Sequence, residues 1–332
     1  MVGLSLPPQD GKTWLHDLPH DPLTPLLLSG HAAVGYWTKQ DLLQQTQEGP
    51  QAALWALPVP VRILHRQRSD GSWAYPGSTS RRRTDYDLLE TYRQLGFLVS
   101  MFGLTRQHPA IARSADYVLS KQSPEGDIRG IYGNQFSPNY SAALLELLVR
   151  AGYGDDERVA RGFSWLEDTQ QDGGGWALAI RTRGRNLTAL DEPETVQPDR
   201  SKPFSHFVTG TVLRAYAAHP GHRQSGTALS VSRLLTERIF EKDRYPDKNR
   251  ATDWTEFCYP FWATDIVSAL DAVSLINPHL RGEKINQAKA WLIMHQEPGG
   301  LFSGHLMRDR YHDLQLWFTL AVCRLFSRMP QP

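Results

Sequence analysis

Cysteine is nearly absent: Cys258 and Cys323 are the two among 332 residues. A disulfide framework is therefore excluded, and each cysteine is to be read as packing, ligand or nucleophile. Net charge is also lacking, with 36 Lys+Arg against 35 Asp+Glu for a formal +1. No global basic field invites nucleic acid. No uninterrupted apolar run approaches the ~18 residues of a membrane span, and the first eleven residues have neither a basic nor an apolar leader region. The expectation is a soluble cytoplasmic protein with no transmembrane segment, peripheral membrane association being the alternative. What the chain does have is 40% hydrophobic and 21% charged residues. That composition buries a large core and excludes global disorder.

Four segments repeat one pattern of Gln, three residues, Gly, one residue, and a large apolar side chain. They are Gln67 to Trp73, Gln122 to Ile128, Gln170 to Trp176 and Gln296 to Phe302, with glycines at Gly71, Gly126, Gly174 and Gly300. The first three lie 55 and 48 residues apart, and the last follows after 126, about two units, so a degenerate copy falls within 210–256. Upstream of each motif runs an amphipathic stretch, as in Ile111, Ala115, Val118 and Leu119, or Val159, Phe163 and Leu166. Downstream comes a stretch apolar around more of its circumference, predicted as helix over 88–102, 140–149, 207–218, 257–275 and 311–326. The former read as outer helices with a wet face and the latter as inner, buried ones. With the apolar run 26–37 added, about six helix pairs close a ring with no sheet. In that ring the Gly permits a tight turn, the Gln bonds a neighbouring backbone, and the aromatic wedges adjacent pairs together. Residues 1–53 form an N-terminal segment with the first helices, and 54–329 the repeat domain.

Inner helices of such a ring all start at one rim, which predicts a mouth there. Basic residues gather in the loops leading to it: Arg81 to Arg83, Arg181, Arg183, Arg185, Lys248, Arg250, Arg308 and Arg310. Basic residues at one rim of a neutral chain suggest an anionic ligand group such as a diphosphate. The stretch 177–202, rich in Arg, Pro, Asp and Glu, interrupts the unit spacing as a lid, a partner-binding loop or a solvated one.

The four motifs resemble the QW-type repeats of the α/α-toroid superfamily, which includes squalene and other class II terpene cyclases and the β subunits of protein prenyltransferases. The resemblance covers roughly residues 54–329 and implies an all-α (α/α)6 toroid. The segment Glu256 to Trp262, with Asp309 to His312, is similar to the zinc site of prenyltransferase β subunits. That resemblance implies Glu256, Cys258 and His312 as Zn2+ ligands, with Cys258 and His312 catalytic. It implies His206, Lys248, Arg250 and Tyr259 on a prenyl diphosphate, and Trp262 in a lipid pocket, which Tyr140, Phe207, Tyr311 and Trp317 would share. Carboxylate, thiolate and imidazole make a three-ligand zinc site with an open position, where an acceptor thiol, such as that of a peptide, would be activated to attack an allylic diphosphate. Prenyltransferases of this kind need a partner subunit. The competing resemblance is to the DxDD acid motif of class II cyclases, which use no metal: in Thr84 to Leu88, Asp87 matches the middle acid while Leu88 replaces the last, and Asp85 and Asp87 equally suit a helix cap. A third reading is a non-catalytic toroid that binds an isoprenoid or a protein partner.

Overall fold

A computed structural model describes residues 13–45, 50–307 and 313–329. Its architecture is a ring of six helix pairs among the described residues. The outer helices are α1 (Leu23–Leu28), α3 (Pro58–Leu64), α5 (Pro109–Leu119), α7 (Glu157–Asp168), α9 (Gly226–Thr236) and α11 (Glu283–Met294). The inner helices are α2 (Ala32–Trp37), α4 (Tyr86–Leu95), α6 (Pro138–Leu148), α8 (His206–Ala218), α10 (Ile266–Ile276) and α12 (Leu314–Arg328). Helices α2, α4 and α6 run on into wider π-type turns, Thr38–Leu42, Gly96–Met101 and Val149–Tyr153. Around the inner wall α6 packs on α8, α8 on α10, α10 on α12, and α12 on α2. The Trp37 indole, at the end of α2, donates to the Met101 carbonyl at 2.7 Å and joins the first inner element to the second.

The repeated motif performs the clamping its residues suggest. The Gln67 amide donates to the carbonyl of Ala110 at 2.7 Å, Gln122 to Arg158 at 2.7 Å, and Gln296 to His20 at 2.8 Å. Each side chain thus grips the start of the next outer segment, and the last grips the lead into α1, which closes the ring. Gly300 has φ +90, and a Cβ there would lie 2.0 Å from the Asp21 carbonyl oxygen, so no other residue fits against the neighbouring backbone. The motif's apolar residue is fixed by a hydroxyl on the following inner helix. The N–H groups of Trp73, Ile128, Trp176 and Phe302 donate to Thr91, Ser141, Thr209 and Thr319. Trp176 is fully buried and donates from its indole to the Leu166 carbonyl at 2.6 Å. Trp176→Ala is expected to cost about 3–5 kcal/mol in urea unfolding; a loss under about 1 kcal/mol would show the wedge to be dispensable.

The degenerate copy within 210–256 is α9, and the turn after it, 237–243, lacks the Gln and Gly. Two expectations need correction. Residues 257–265 are not helical: Pro260 interrupts them, and Asp265 caps α10 by accepting from Val267 and Ser268. One short parallel pairing exists, Glu256–Phe257 (β1) with His305–Leu306 (β2). No described helix is long and apolar enough to cross a membrane.

Candidate active site

A cavity of about 500 Å³ lies inside the ring. Its walls come from the C-terminal halves of the inner helices and the turns after them, including Gly103, Glu146, Arg150, Leu275 and Arg328. Arg150 is exposed there, so the mouth opens at the ends of the inner helices, the rim opposite the expected one. The starts are covered instead. Segment 177–202 is fastened across them: Arg81 pairs with Asp191, Gln135 donates to the carbonyls of Ala189 and Glu194, and Leu190 is buried. The lead into α10 fills the centre from the same side.

That lead supplies an aromatic floor of Tyr259, Phe261 and Trp262. Trp262 meets Tyr92 edge-on at 5.0 Å and Phe97 at 5.7 Å. Its indole rests on Gly96, where a Cβ would come within 2.2 Å of the ring, so glycine at the entry to the π turn lets the floor sit flat. Tyr259 stacks on buried Trp317 at 5.5 Å and accepts from Arg324 at 3.2 Å. An aromatic surface of this kind holds apolar chains and stabilises cations over its faces.

Behind the floor is a buried polar cluster. Arg214, 2% exposed, donates to Glu146 at 3.1 Å and to the Phe261 carbonyl at 2.9 Å. The Cys258 sulfur accepts from the Trp262 N–H at 3.2 Å. Burial, then the nearby Asp265, pushes its thiol up to about 11. Asp265 is fully buried; burial pushes its carboxyl up to about 7, against the hydrogen bond from Ser268 and the charge of Arg214. Its Oδ1 accepts the Val267 and Ser268 N–H groups at 2.9 and 2.8 Å, whereas Oδ2 is buried with no partner among the described residues. When the carboxyl is protonated, the proton therefore sits on Oδ2. Sequence reasoning missed Asp265, whose signal was a cap residue in front of a mostly apolar helix.

The zinc donor set does not fit. Glu256 is held by Lys248 at 2.8 Å and Arg250 at 2.6 Å, and the Lys248 hydrogen bond keeps its carboxyl below the usual range. Two cations thus occupy the carboxylate a metal would need, and the Cys258 sulfur accepts from the floor's own backbone. His312 and Tyr311 lie outside the described residues. Among the described residues no group of three or more His, Cys, Asp or Glu side chains could hold a metal ion.

The expected diphosphate set disperses as well. Lys248 and Arg250 are bound to Glu256 and Asp253, while Arg181 pairs with Asp247, Arg183 with Asp199 and Arg185 with Glu192. Six of the described rim cations, Arg81, Arg181, Arg183, Arg185, Lys248 and Arg250, are thereby paired with acids; Arg308 and Arg310 lie outside the described residues. His206 is 3% exposed, stacks on Trp254 at 4.6 Å, and is held below the usual histidine range by burial, so it presents no cation. Of the expected lipid-pocket residues, Trp262 lines the cavity and Trp317 backs Tyr259. Tyr140 packs edge-on against Tyr92 and Tyr132, and the Phe207 N–H donates to Asp243; neither borders the cavity.

Asp87 is 37% exposed, pairs with Arg68 at 2.5 Å and accepts from the Tyr75 N–H at 2.9 Å. An exposed, ion-paired carboxylate outside the cavity is not placed to protonate a ligand within it. Asp85 is the cap, accepting from Leu88. Asp87→Asn is expected to leave product formation within about twofold and to cost no more than about 1 kcal/mol; loss of turnover in a folded variant would restore Asp87 as the acid.

No family model matches the sequence, and no curated protein matches it. Among solved structures the chain is similar to type II terpene cyclase MstE from Scytonema. A variant in complex with merosterolic acid A is 13% identical, covering 84% of this chain and 94% of the other, with a TM-score of 0.35. Another, in complex with geranylgeranyl dihydroxybenzoate, is 11% identical over 84% and 95%, with a TM-score of 0.34. A protein from Actinoplanes is 18% identical over 85% and 100%, with a TM-score of 0.28.

Proposed function

We propose that the protein is an acid-initiated cyclase of linear isoprenoid chains, with Asp265 as the proton donor. What supports this reading is a fully buried carboxyl, raised by burial, whose Oδ2 has no partner among the described residues and which follows directly on the segment that supplies the aromatic floor of the cavity. The chain would lie on Tyr259, Phe261 and Trp262; Asp265 is not itself among the residues lining the cavity, so the reading requires the Trp262 indole to move off Gly96 for an alkene to reach it. Proton transfer from Oδ2 to one alkene carbon leaves a tertiary cation at the other. The next double bond attacks that cation, forming a carbon–carbon bond, and a final proton loss gives a cyclic isomer of the substrate. Tyr92, Trp262 and Phe261 offer ring faces to the migrating charge, and water is kept out by the closed rim.

Transfer of a prenyl group to a zinc-bound thiol is disfavoured by Glu256, which Lys248 and Arg250 already hold. The test is incubation with geranylgeraniol and geranylgeranoic acid, followed by separation of products by gas chromatography and mass spectrometry. A cyclic product of unchanged mass is expected; unchanged substrate in both reactions would contradict the proposal.

A further inference from the structure

We propose that the polar end of the ligand is a single carboxylate, received at the cavity mouth by Arg150 and Arg328, and that a diphosphate is excluded. This rests on the reading of the cavity as an isoprenoid site, but it is independent of whether the bound chain is cyclised.

The charged groups lining the cavity are three arginines, Arg150, Arg324 and Arg328, and three carboxylates, Asp41, Glu146 and Asp271. Each carboxylate holds one of these arginines, and Glu146 holds the buried Arg214 as well. Arg150 donates to Glu146 at 3.0 Å, Arg324 to Asp41 at 2.8 Å, and Arg328 to Asp271. The described lining is therefore neutral, and the inner helices point their C-terminal, partially negative ends towards the same mouth. A multiply charged head would meet three carboxylates and these helix ends with only the buried Arg214 in excess behind the floor. A single carboxylate needs only the N–H groups the internal pairs leave over, because each guanidinium carries five.

Those donors can be named. Arg328 engages Asp271 through one terminal nitrogen, and its side chain remains 28% open. Arg150 engages Glu146 through Nε, and its side chain remains 35% open at the mouth. Arg324 is otherwise occupied, bonded to Asp41 and to the Tyr259 hydroxyl, and acts as the fixed wall between them. An acceptor seated against Arg328 and Arg150 directs its attached chain down to Trp262 and the floor. Hydrogen bonds to charged groups are worth about 1.5–3 kcal/mol each, which sets the expected preference at about tenfold or more.

The test is isothermal titration of the wild-type protein with three ligands sharing one chain: geranylgeranoic acid, geranylgeraniol and geranylgeranyl diphosphate. The acid is expected to bind at least about tenfold more tightly than either of the others. Arg328→Met and, separately, Arg150→Met should lose most of that preference while keeping the affinity for geranylgeraniol. Arg150→Met guards against a folding defect, since its side chain is partly open to solvent. Equal or tighter binding of the diphosphate, equal binding of the alcohol, or binding of none of the three would overturn the proposal. Tight binding of the acid without conversion would uphold it while refuting the cyclase reading.

Discussion

Asp265→Asn is expected to abolish turnover and, at the same time, to stabilise the protein increasingly as pH rises. Loss of a positioned general acid costs about 10²–10⁴ in rate, and asparagine supplies no proton. The structural role survives, because the asparagine carbonyl oxygen can still accept from Val267 and Ser268 at the start of α10. The stability effect follows from linkage. Burial holds the folded carboxyl at about 7, well above the ordinary carboxylate range, so the native state holds this proton more tightly than the unfolded one. That advantage is fully present below the unfolded value and is lost as pH rises through about 7. Above that, a buried carboxyl of this kind costs about 4 kcal/mol relative to an ordinary one. The difference in Tm between Asp265→Asn and wild type should therefore grow by several degrees from pH 5 to pH 8. Cyclisation by the wild type should fall over the same rise as the acid deprotonates. A Tm difference flat with pH, or turnover retained by the variant, would mean that Asp265 is a helix cap and nothing more.

The second large effect is expected at Arg214. It is buried, pairs with Glu146 and holds the carbonyl of Phe261, with that of Ala263 at 3.5 Å, so it fastens the floor to α6. Breaking a buried pair from one side leaves an uncompensated charge, at a cost of about 3–5 kcal/mol. Arg214→Met should lose that much in urea unfolding and loosen Trp262, with a change in intrinsic tryptophan fluorescence. Replacing both partners, Arg214→Met with Glu146→Leu, should recover a large part of the loss, because no buried charge is then stranded; Arg150, released from Glu146, remains partly open to water. A single variant within about 1 kcal/mol of wild type would show that the floor is held by packing alone.

The ring was legible because its clamps are local and repeated. Gln67, Gln122 and Gln296 each contact the next outer segment through one spacing, and the glycines recur with them. The third copy shows the limit of pattern reading. There Gln171, not Gln170, makes the long-range bonds, to the carbonyls of Asp199 and Lys202, because segment 199–202 folds over that turn. The hydroxyls of Thr91, Ser141, Thr209 and Thr319 went unnoticed because their distance from the motif varies.

The site was less legible because its determinants are distant in sequence. Arginines that look like an anion-binding rim are paired by acids of 177–202 and 243–256, which the chain delivers only on folding. Once those segments cover the inner-helix starts, the opening falls at the other end, among arginines of α12 and the α6 turn that read as ordinary helix residues. Asp265 became distinctive only through its burial.

Running the reaction in D2O tests the central claim most directly. Geranylgeranoic acid is incubated with wild-type protein and with Asp265→Asn, and the products are analysed by mass spectrometry and NMR. The account predicts a cyclic product from the wild type carrying one solvent deuterium on the carbon protonated first, and no such product from the variant. A wild-type reaction with no cyclic product, a cyclic product free of deuterium, or the same labelled product from Asp265→Asn would contradict it.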